Sequence, residues 1–457
     1  MRKKMPRREF LKVAGTTALA VSAAALTGCS DTPEDSSSSS SSSASSGAAS
    51  SGSSSSGSTS SGSTGSGKDE ADENGIIWKM LYIKGTNGLS LAGYDPAGKE
   101  PAGDIKLPSV WDGYPVVGIL GSFLKGNKKI RSVEIPDSVT RIASSAFQEC
   151  TNLQRVRLSK NIGEIDYYAF KGTALTVVEI PGSVKSIKDE AFRECTNLRT
   201  VVLGAGVETI GKEAFQNTAV ETIQMPKSLR TIGDRAFGDC TNLTSVTLNE
   251  GLTTLGALAF YAAPISTITL PKTLQEIGGK VFADCKNLKT VTIEDGVKEI
   301  SGNTFVMSGL ESVVRIPKSV DKVGYRAFGA CKALKQVIFE ATDGMTIKEI
   351  ELMAFDGDTS LEAAVLPDGL QEIAVKAFYN CSAMNRIYIP GSVKVIREDA
   401  FDGARGLKKV YFGGTQAQWD AMVIESNDRG YWDSEESKKC LKNAEVICNA
   451  HPQDALN

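Results

Sequence analysis

The stretch MPKSLRTIGDRAFGDCTNLTSVTLNEGLTTLGALAF, residues 225–260, contains two successive copies of one short unit. In the second copy, Val246 and Leu248 alternate with polar residues as the inward side chains of a strand do. Residues 252–255 supply a second short apolar run, and Phe260 closes the unit. We therefore predict a unit of strand, turn, strand, turn and short helical turn.

Phenylalanine marks this unit along most of the chain, at intervals of 22 to 27 residues. One such unit cannot bury both of its apolar faces, so neighbouring units must stack. The period predicts a repeat solenoid, mainly β or α+β, of about 13 turns with parallel strand ladders and a buried phenylalanine column. The column comprises Phe123, Phe147, Phe170, Phe192, Phe215, Phe237, Phe260, Phe282, Phe305, Phe328, Phe355, Phe378 and Phe401.

Cysteines follow a longer period of two units, each 14 residues after a proline. Neighbouring members of this set are generally two turns apart, about 9–10 Å, which is too far for a disulfide. We predict that they are small buried hydrophobic residues. They are Cys150, Cys195, Cys240, Cys285, Cys331 and Cys381.

Glycines follow the second apolar run of several units, where a chain that reverses direction often needs a positive φ. We therefore predict left-handed backbone at these positions. They are Gly211, Gly233, Gly256, Gly278 and Gly324.

Two segments, IPDSVTRIASSAFQECTNL (135–153) and MPKSLRTIGDRAFGDCTNL (225–243), resemble the BspA-type leucine-rich repeats of bacterial surface proteins. The resemblance covers roughly residues 75–450, and Ile105–Leu120 and Val410–Trp419 are similar to the ends of such arrays. It implies a leucine-rich repeat fold and a surface or adhesive role. It implies no particular ligand.

The amino terminus reads as a lipoprotein signal peptide over residues 1–28. A basic region precedes the apolar residues 13–26, and Leu26-Thr27-Gly28-Cys29 matches a lipobox. Cleavage would leave Cys29 to carry a diacylglycerol, which would anchor the protein to the outer face of the cytoplasmic membrane. The alternative is a chance match.

Arg7 and Arg8 resemble a twin-arginine export signal, although Pro6 stands where serine or threonine is usual. The alternative is an ordinary basic region read by the general export route. Residues 29–72 are rich in serine and glycine and predict a flexible tether. We then expect an amino-terminal cap over 73–122, the solenoid over 123–409, and a carboxyl-terminal cap and tail over 410–457.

Composition argues against several classes of function. Removing residues 1–28 leaves 45 Lys and Arg against 53 Asp and Glu, a net charge of −8, so nucleic acid is not an expected partner. The single histidine, His451, excludes His-based triads and multi-His metal sites. We expect no catalytic residue, metal or cofactor, and a monomer.

Two further motifs each have a functional interpretation and an ordinary structural one. Cys440 and Cys448 could form a terminal disulfide or remain two buried thiols. The segment Asp356-Gly357-Asp358-Thr359-Ser360 resembles the start of a calcium loop. It lacks the glycine at the sixth position of such loops and the glutamate further on, so we favour an ordinary solvated turn.

One outward residue per turn lies between the inward residues of the first strand. These residues are polar and rich in threonine in the first part of the array and apolar or aromatic in the last part. We predict that the last part is an exposed recognition strip, with Arg386 and Lys409 beside it as hydrogen-bond donors. The alternative is strand propensity alone. The predicted strip comprises Ile338, Val365, Tyr388 and Tyr411.

The sequence thus favours a lipid-anchored extracellular protein that binds a protein or glycan without catalysis. The runner-up is a structural stalk or an envelope-organising protein. A hydrolase that uses two carboxylates comes third, because the acidic residues are scattered with no inserted domain to form a cleft.

Overall fold

The computed structural model describes residues 71–340, 349–425 and 436–456. Cys29, Arg7 and Arg8 lie outside the described residues. The predicted repeat solenoid is confirmed, since each turn adds one longer strand to a first parallel ladder and one short strand to a second. None of the helices in the described part of the chain has the length and apolar character needed to cross a bilayer.

The elements follow in chain order. They are β1 (Trp78–Tyr82), β2 (Leu89–Tyr94), β3 (Gly103–Lys106), β4 (Val110–Trp111), β5 (Tyr114–Ile119), β6 (Ile130–Glu134), β7 (Arg141–Ile142), β8 (Arg155–Arg157), β9 (Glu164–Ile165), β10 (Val177–Ile180), β11 (Ser186–Ile187), β12 (Thr200–Leu203), β13 (Thr209–Ile210), β14 (Thr222–Gln224), β15 (Thr231–Ile232), β16 (Ser245–Thr247), β17 (Thr254–Leu255), β18 (Thr267–Leu270), β19 (Glu276–Ile277), β20 (Thr290–Ile293), β21 (Glu299–Ile300), β22 (Glu311–Ile316), β23 (Lys322–Val323), β24 (Ala333–Phe339), β25 (Glu349–Ile350), β26 (Ala363–Val365), β27 (Glu372–Ile373), β28 (Arg386–Ile389), β29 (Val395–Ile396), β30 (Lys409–Phe412), α1 (Gln416–Asp420), β31 (Val423–Ile424), α2 (Glu436–Asn443), β32 (Glu445–Cys448) and a 3₁₀ helix (Pro452–Ala455).

The two ladders keep the repeats in register. In the first ladder, β18 pairs with β20 so that Thr267 lies beside Thr290, and in the second, β15 pairs with β17. The final turn, built from β30 and β31, adds no member to the phenylalanine column and brings the array to about 14 turns. At the amino-terminal end, the antiparallel pair β1 and β2 joins the second ladder through β5.

The phenylalanine column forms the centre of the core. Phe215, Phe237 and Phe260 are fully buried, and their ring centroids lie 5.3 Å and 5.5 Å apart along the column. From Phe147 to Phe401 the rings stack nearly parallel. Stacked rings at this spacing exclude water and join each turn to the next.

The segment around each phenylalanine is a pair of tight turns instead of the predicted short helical turn. Arg235 (φ 52°) and Asp239 (φ 59°), two residues before and after Phe237, are both left-handed. Hydrogen bonds to the next turn offset the cost of this backbone, as Arg235 N donates to Ala257 O at 2.8 Å and Phe237 N to Ala259 O at 2.8 Å. The fold therefore contains a third column of hydrogen bonds.

The prediction of positive φ at the repeated glycines is wrong, because the left-handed positions are the residues that flank phenylalanine. The glycines instead allow stacked turns to approach closely. A Cβ on Gly256 would lie 2.4 Å from the carbonyl carbon of Gly233, and one on Gly278 would lie 2.2 Å from the nitrogen of Ala257. Any larger side chain would push the turns apart.

The repeat cysteines are buried free thiols, as predicted. Cys195 Sγ donates to Phe170 O at 3.1 Å, and Cys240 Sγ donates to Phe215 O at 3.2 Å. Burial raises the pKa of each of these two thiols to about 11, so they stay protonated at neutral pH. They are structural residues with little nucleophilic character.

Candidate binding surfaces

The predicted recognition strip is not exposed, so this premise of the sequence analysis is wrong. Ile338, Val365 and Tyr388 are at least nine-tenths buried and form an apolar cluster with Ala455, against which Tyr411 and Leu456 pack. The 3₁₀ helix Pro452–Ala455 and Leu456 cover the outward face of the first ladder at this end. A ligand could reach these side chains only if residues 452–456 moved away.

The polar neighbours of the strip also serve the chain itself. Arg386 Nε donates to Ala455 O at 2.7 Å, whereas Lys409 remains exposed. The hydroxyl of Tyr388 donates to Asp368 Oδ1 at 3.4 Å, and burial together with Asp368 raises the pKa of Tyr388 to about 12. This end of the array therefore carries a well-packed cap.

Sequence reasoning identified these apolar residues but assigned them to the wrong environment. Four successive turns with outward apolar side chains would expose a large continuous patch, which water-soluble surfaces rarely do. That patch was itself the signal that another part of the chain covers the strip.

The middle of the first ladder is exposed. Along β10, β12, β14, β16, β18 and β20, both outward positions of every strand are accessible to solvent. We name the resulting surface the open strip, and most of its side chains are hydroxylic. Its members are Val177, Glu179, Thr200, Val202, Thr222, Gln224, Ser245, Thr247, Thr267, Thr269, Thr290 and Thr292.

A groove lies beside the second ladder over the same central turns. One part has a volume of about 610 Å³ and is lined by Arg230, Thr253, Lys272, Gln275 and Lys298, among others. We name this part the basic end. Its three cationic residues come from different turns, so no local motif in the sequence marks them.

The adjoining part of the groove has the opposite charge. It has a volume of about 370 Å³, shares Gln275 with the basic end, and is lined by Asp234, Glu276 and Glu299 as well as Gly256 and Gly278. We name it the acidic end. The glycines that allow close stacking of the turns thus also line the acidic end.

Of the two alternatives for Cys440 and Cys448, the terminal disulfide is not formed, because the structure does not join them. Cys448 is a free thiol that lies 3.3 Å from Gln416 Oε1. The solvated turn predicted around Asp356–Ser360 is wrong for Asp358, which is fully buried. In the described ranges, no three His, Cys, Asp or Glu side chains are grouped as metal ligands would be.

The fold and its repeated turn define a leucine-rich repeat solenoid. Comparison with known proteins identifies the family within this class. The family model described as "BspA type Leucine rich repeat region (6 copies)" matches residues 121–237, 208–335 and 313–427. These matches span more than half of the sequence. The chain therefore belongs to the BspA-type leucine-rich repeat family.

Solved structures of bacterial proteins are similar. A leucine-rich repeat protein from Bacteroides ovatus is 23% identical, with 77% of this chain and 98% of that chain covered and a TM-score of 0.54. A leucine-rich cell surface protein from Faecalibacterium prausnitzii is 25% identical, with 80% and 100% covered and a TM-score of 0.42. The first likeness supports the fold alone. No curated protein matches the chain.

Proposed function

We propose that this protein is a non-catalytic binding protein of the bacterial cell surface, anchored by lipid on Cys29, that recognises an extracellular protein or glycan. The open strip is the single observation that supports the proposal best. Side chains stacked about 4.8 Å apart over six turns give a regular, exposed surface on a rigid support. Repeat proteins use such extended surfaces for recognition.

The binding proposal is tested with the full-length chain in detergent on arrays of extracellular proteins and glycans. We expect retention of at least one ligand. The combined change Thr247→Ala, Thr269→Ala and Thr292→Ala should weaken that binding about tenfold, because it removes three neighbouring hydroxyls from the open strip.

The matched control changes three exposed threonines that each lie four residues after a member of the phenylalanine column. Thr151→Ala, Thr241→Ala and Thr359→Ala together should leave affinity unchanged. Equal losses in both triple variants would contradict the open strip as the binding surface. A complete lack of retained ligands would favour the structural stalk, and turnover of a retained substrate would favour the hydrolase.

A separate prediction concerns the anchor. Cys29→Ala should release the protein from membranes or leave it unprocessed, because the thiol that would carry diacylglycerol is lost. Mass spectrometry of the mature wild-type chain should find diacylglycerol on an amino-terminal Cys29. An unmodified chain that begins at another residue would refute the anchor.

A further inference from the structure

Three cationic side chains line the basic end of the groove, and none of them forms an ion pair with a described residue. Within the described ranges, no carboxylate lies within ion-pair distance of Arg230, Lys272 or Lys298. All three residues are solvent-exposed. Arg230 and Lys298 stand three turns apart, about 14 Å along the ladder. A chain whose overall charge is negative thus presents a local positive site.

Most neighbouring carboxylates already have partners. Glu208 pairs with Lys185 at 2.7 Å and Asp295 with Lys318 at 3.6 Å. Glu294 Oε2 accepts from the backbone N of Lys272 at 3.0 Å. In the described part of the chain neither Glu294 nor Glu250, beside Gly251, forms an ion pair, so these two carboxylates oppose an anionic ligand.

Two glycines leave the space that the side chains of Arg230 and Lys272 occupy. Arg230 Nη1 donates to the carbonyls of Lys227 (2.9 Å), Leu229 (3.1 Å) and Gly251 (3.3 Å). A Cβ on Gly251 would lie 2.2 Å from that nitrogen, and a Cβ on Gly296 would lie 2.7 Å from Lys272 Cβ. The guanidinium is therefore held in place before any ligand arrives, which lowers the entropy cost of binding.

The two ends of the groove select a kind of ligand. Asp234, Glu276 and Glu299 can accept hydrogen bonds from the hydroxyls that a sugar polymer carries along its length. Neither end is lined by an aromatic residue, so the aromatic anchors typical of a protein interface are missing there. A chain that carries both hydroxyls and spaced anionic groups fits both ends.

We propose that the basic end binds the carboxylate or sulfate groups of a linear anionic polysaccharide, while the acidic end accepts hydrogen bonds from its hydroxyls. This inference rests on the proposed function, because it names the ligand class of a surface binding protein. It adds a second surface to the open strip. Both anions share the chemistry of several acceptor oxygens with a negative charge.

The test is calorimetric titration of the full-length chain in detergent with polygalacturonate oligomers, dextran sulfate, poly-glutamate, and unsubstituted dextran of the same length. We expect one or both anionic polymers to bind and dextran not to bind. Lys272→Gln with Lys298→Gln should weaken binding about fivefold, and added salt should weaken it further. Glu250→Gln should strengthen it.

The matched control is Lys160→Gln with Lys394→Gln, two exposed lysines outside the groove, which changes the net charge equally. Unchanged binding in this control assigns the site to the groove. Binding of polygalacturonate alone or dextran sulfate alone identifies the preferred anion.

Three results would overturn the inference: equal losses in both lysine pairs, binding of neither anionic polymer, or stronger binding of poly-glutamate than of either polymer. If an array ligand is still retained and is lost only in the open-strip variant, the groove inference fails while the proposed function stands. If no ligand is retained anywhere, both fail.

Discussion

Replacing Phe237 with alanine is expected to lower the free energy of unfolding by about 3–5 kcal/mol. Phe237 is fully buried, and its ring stacks on Phe215 and Phe260 at 5.3 Å and 5.5 Å. Removing the ring leaves a cavity between two turns that the backbone hydrogen bonds hold at fixed spacing, so the site has little freedom to collapse. The loss should be concentrated near this turn, because each repeat contacts mainly its neighbours.

Urea unfolding followed by circular dichroism measures the total effect, and hydrogen exchange locates it. Protection should fall most at the amides of Phe237 and Arg235, which donate to the following turn. Thr247→Ala on the open strip is the control and should change stability by less than about 0.5 kcal/mol. A loss below about 1 kcal/mol in Phe237→Ala would show that the column does not carry the core.

Sequence periodicity was sufficient for the stack of turns because every turn repeats the same inward residues. It could not predict the backbone around each phenylalanine. Residues such as Glu213 and Leu258 adopt φ of 56° and 59°, which their side chains disfavour in isolation. Only the hydrogen bonds to the next turn compensate for that conformation, and they exist only once the turns have stacked.

The burial of the predicted strip and the presence of the groove could not be predicted from the sequence, for a different physical reason. The cap over Tyr388 depends on a contact between Arg386 and Ala455, 69 residues apart in the chain, which no local pattern encodes. The basic end of the groove combines residues from separate turns, none of which is unusual within its own repeat. Both features depend on which columns the solenoid brings side by side.

Asp358 is the one acidic residue in a core column of cysteine, hydroxyl and small side chains, and it provides the second large prediction. It lies three residues after Phe355, as Cys331 does after Phe328 and Thr218 does after Phe215. Its Oδ1 accepts from Cys331 N at 2.7 Å, while Oδ2 has no hydrogen-bond partner among the described residues. Burial raises the pKa of Asp358 well above its ordinary value of 3.8.

The sign of the resulting pH dependence follows from linkage. The unfolded chain loses the Asp358 proton above about pH 4, whereas the folded chain resists ionisation until its higher pKa is reached. Stability contributed at this site is therefore fully present below pH 4 and declines as pH rises towards the folded pKa. At neutral pH, the buried carboxyl is destabilising.

Asp358→Thr is accordingly expected to raise the free energy of unfolding at pH 7 by about 1–3 kcal/mol, because it removes the cost of keeping the buried carboxyl protonated at that pH and restores the hydroxyl found at Thr218. Cys331 N keeps Phe328 O as an acceptor at 3.3 Å.

Asp358→Asn is the matched control, since it removes the ionisable group but keeps the shape and the Oδ1 acceptor. Urea unfolding at pH 4 and pH 7 measures the difference from wild type, which should be small at the lower pH and large at the higher pH for both variants. Equal differences at the two pH values would show that ionisation of Asp358 does not limit stability, and a less stable Asp358→Thr at pH 7 would show that the carboxyl makes a favourable contact that threonine cannot replace.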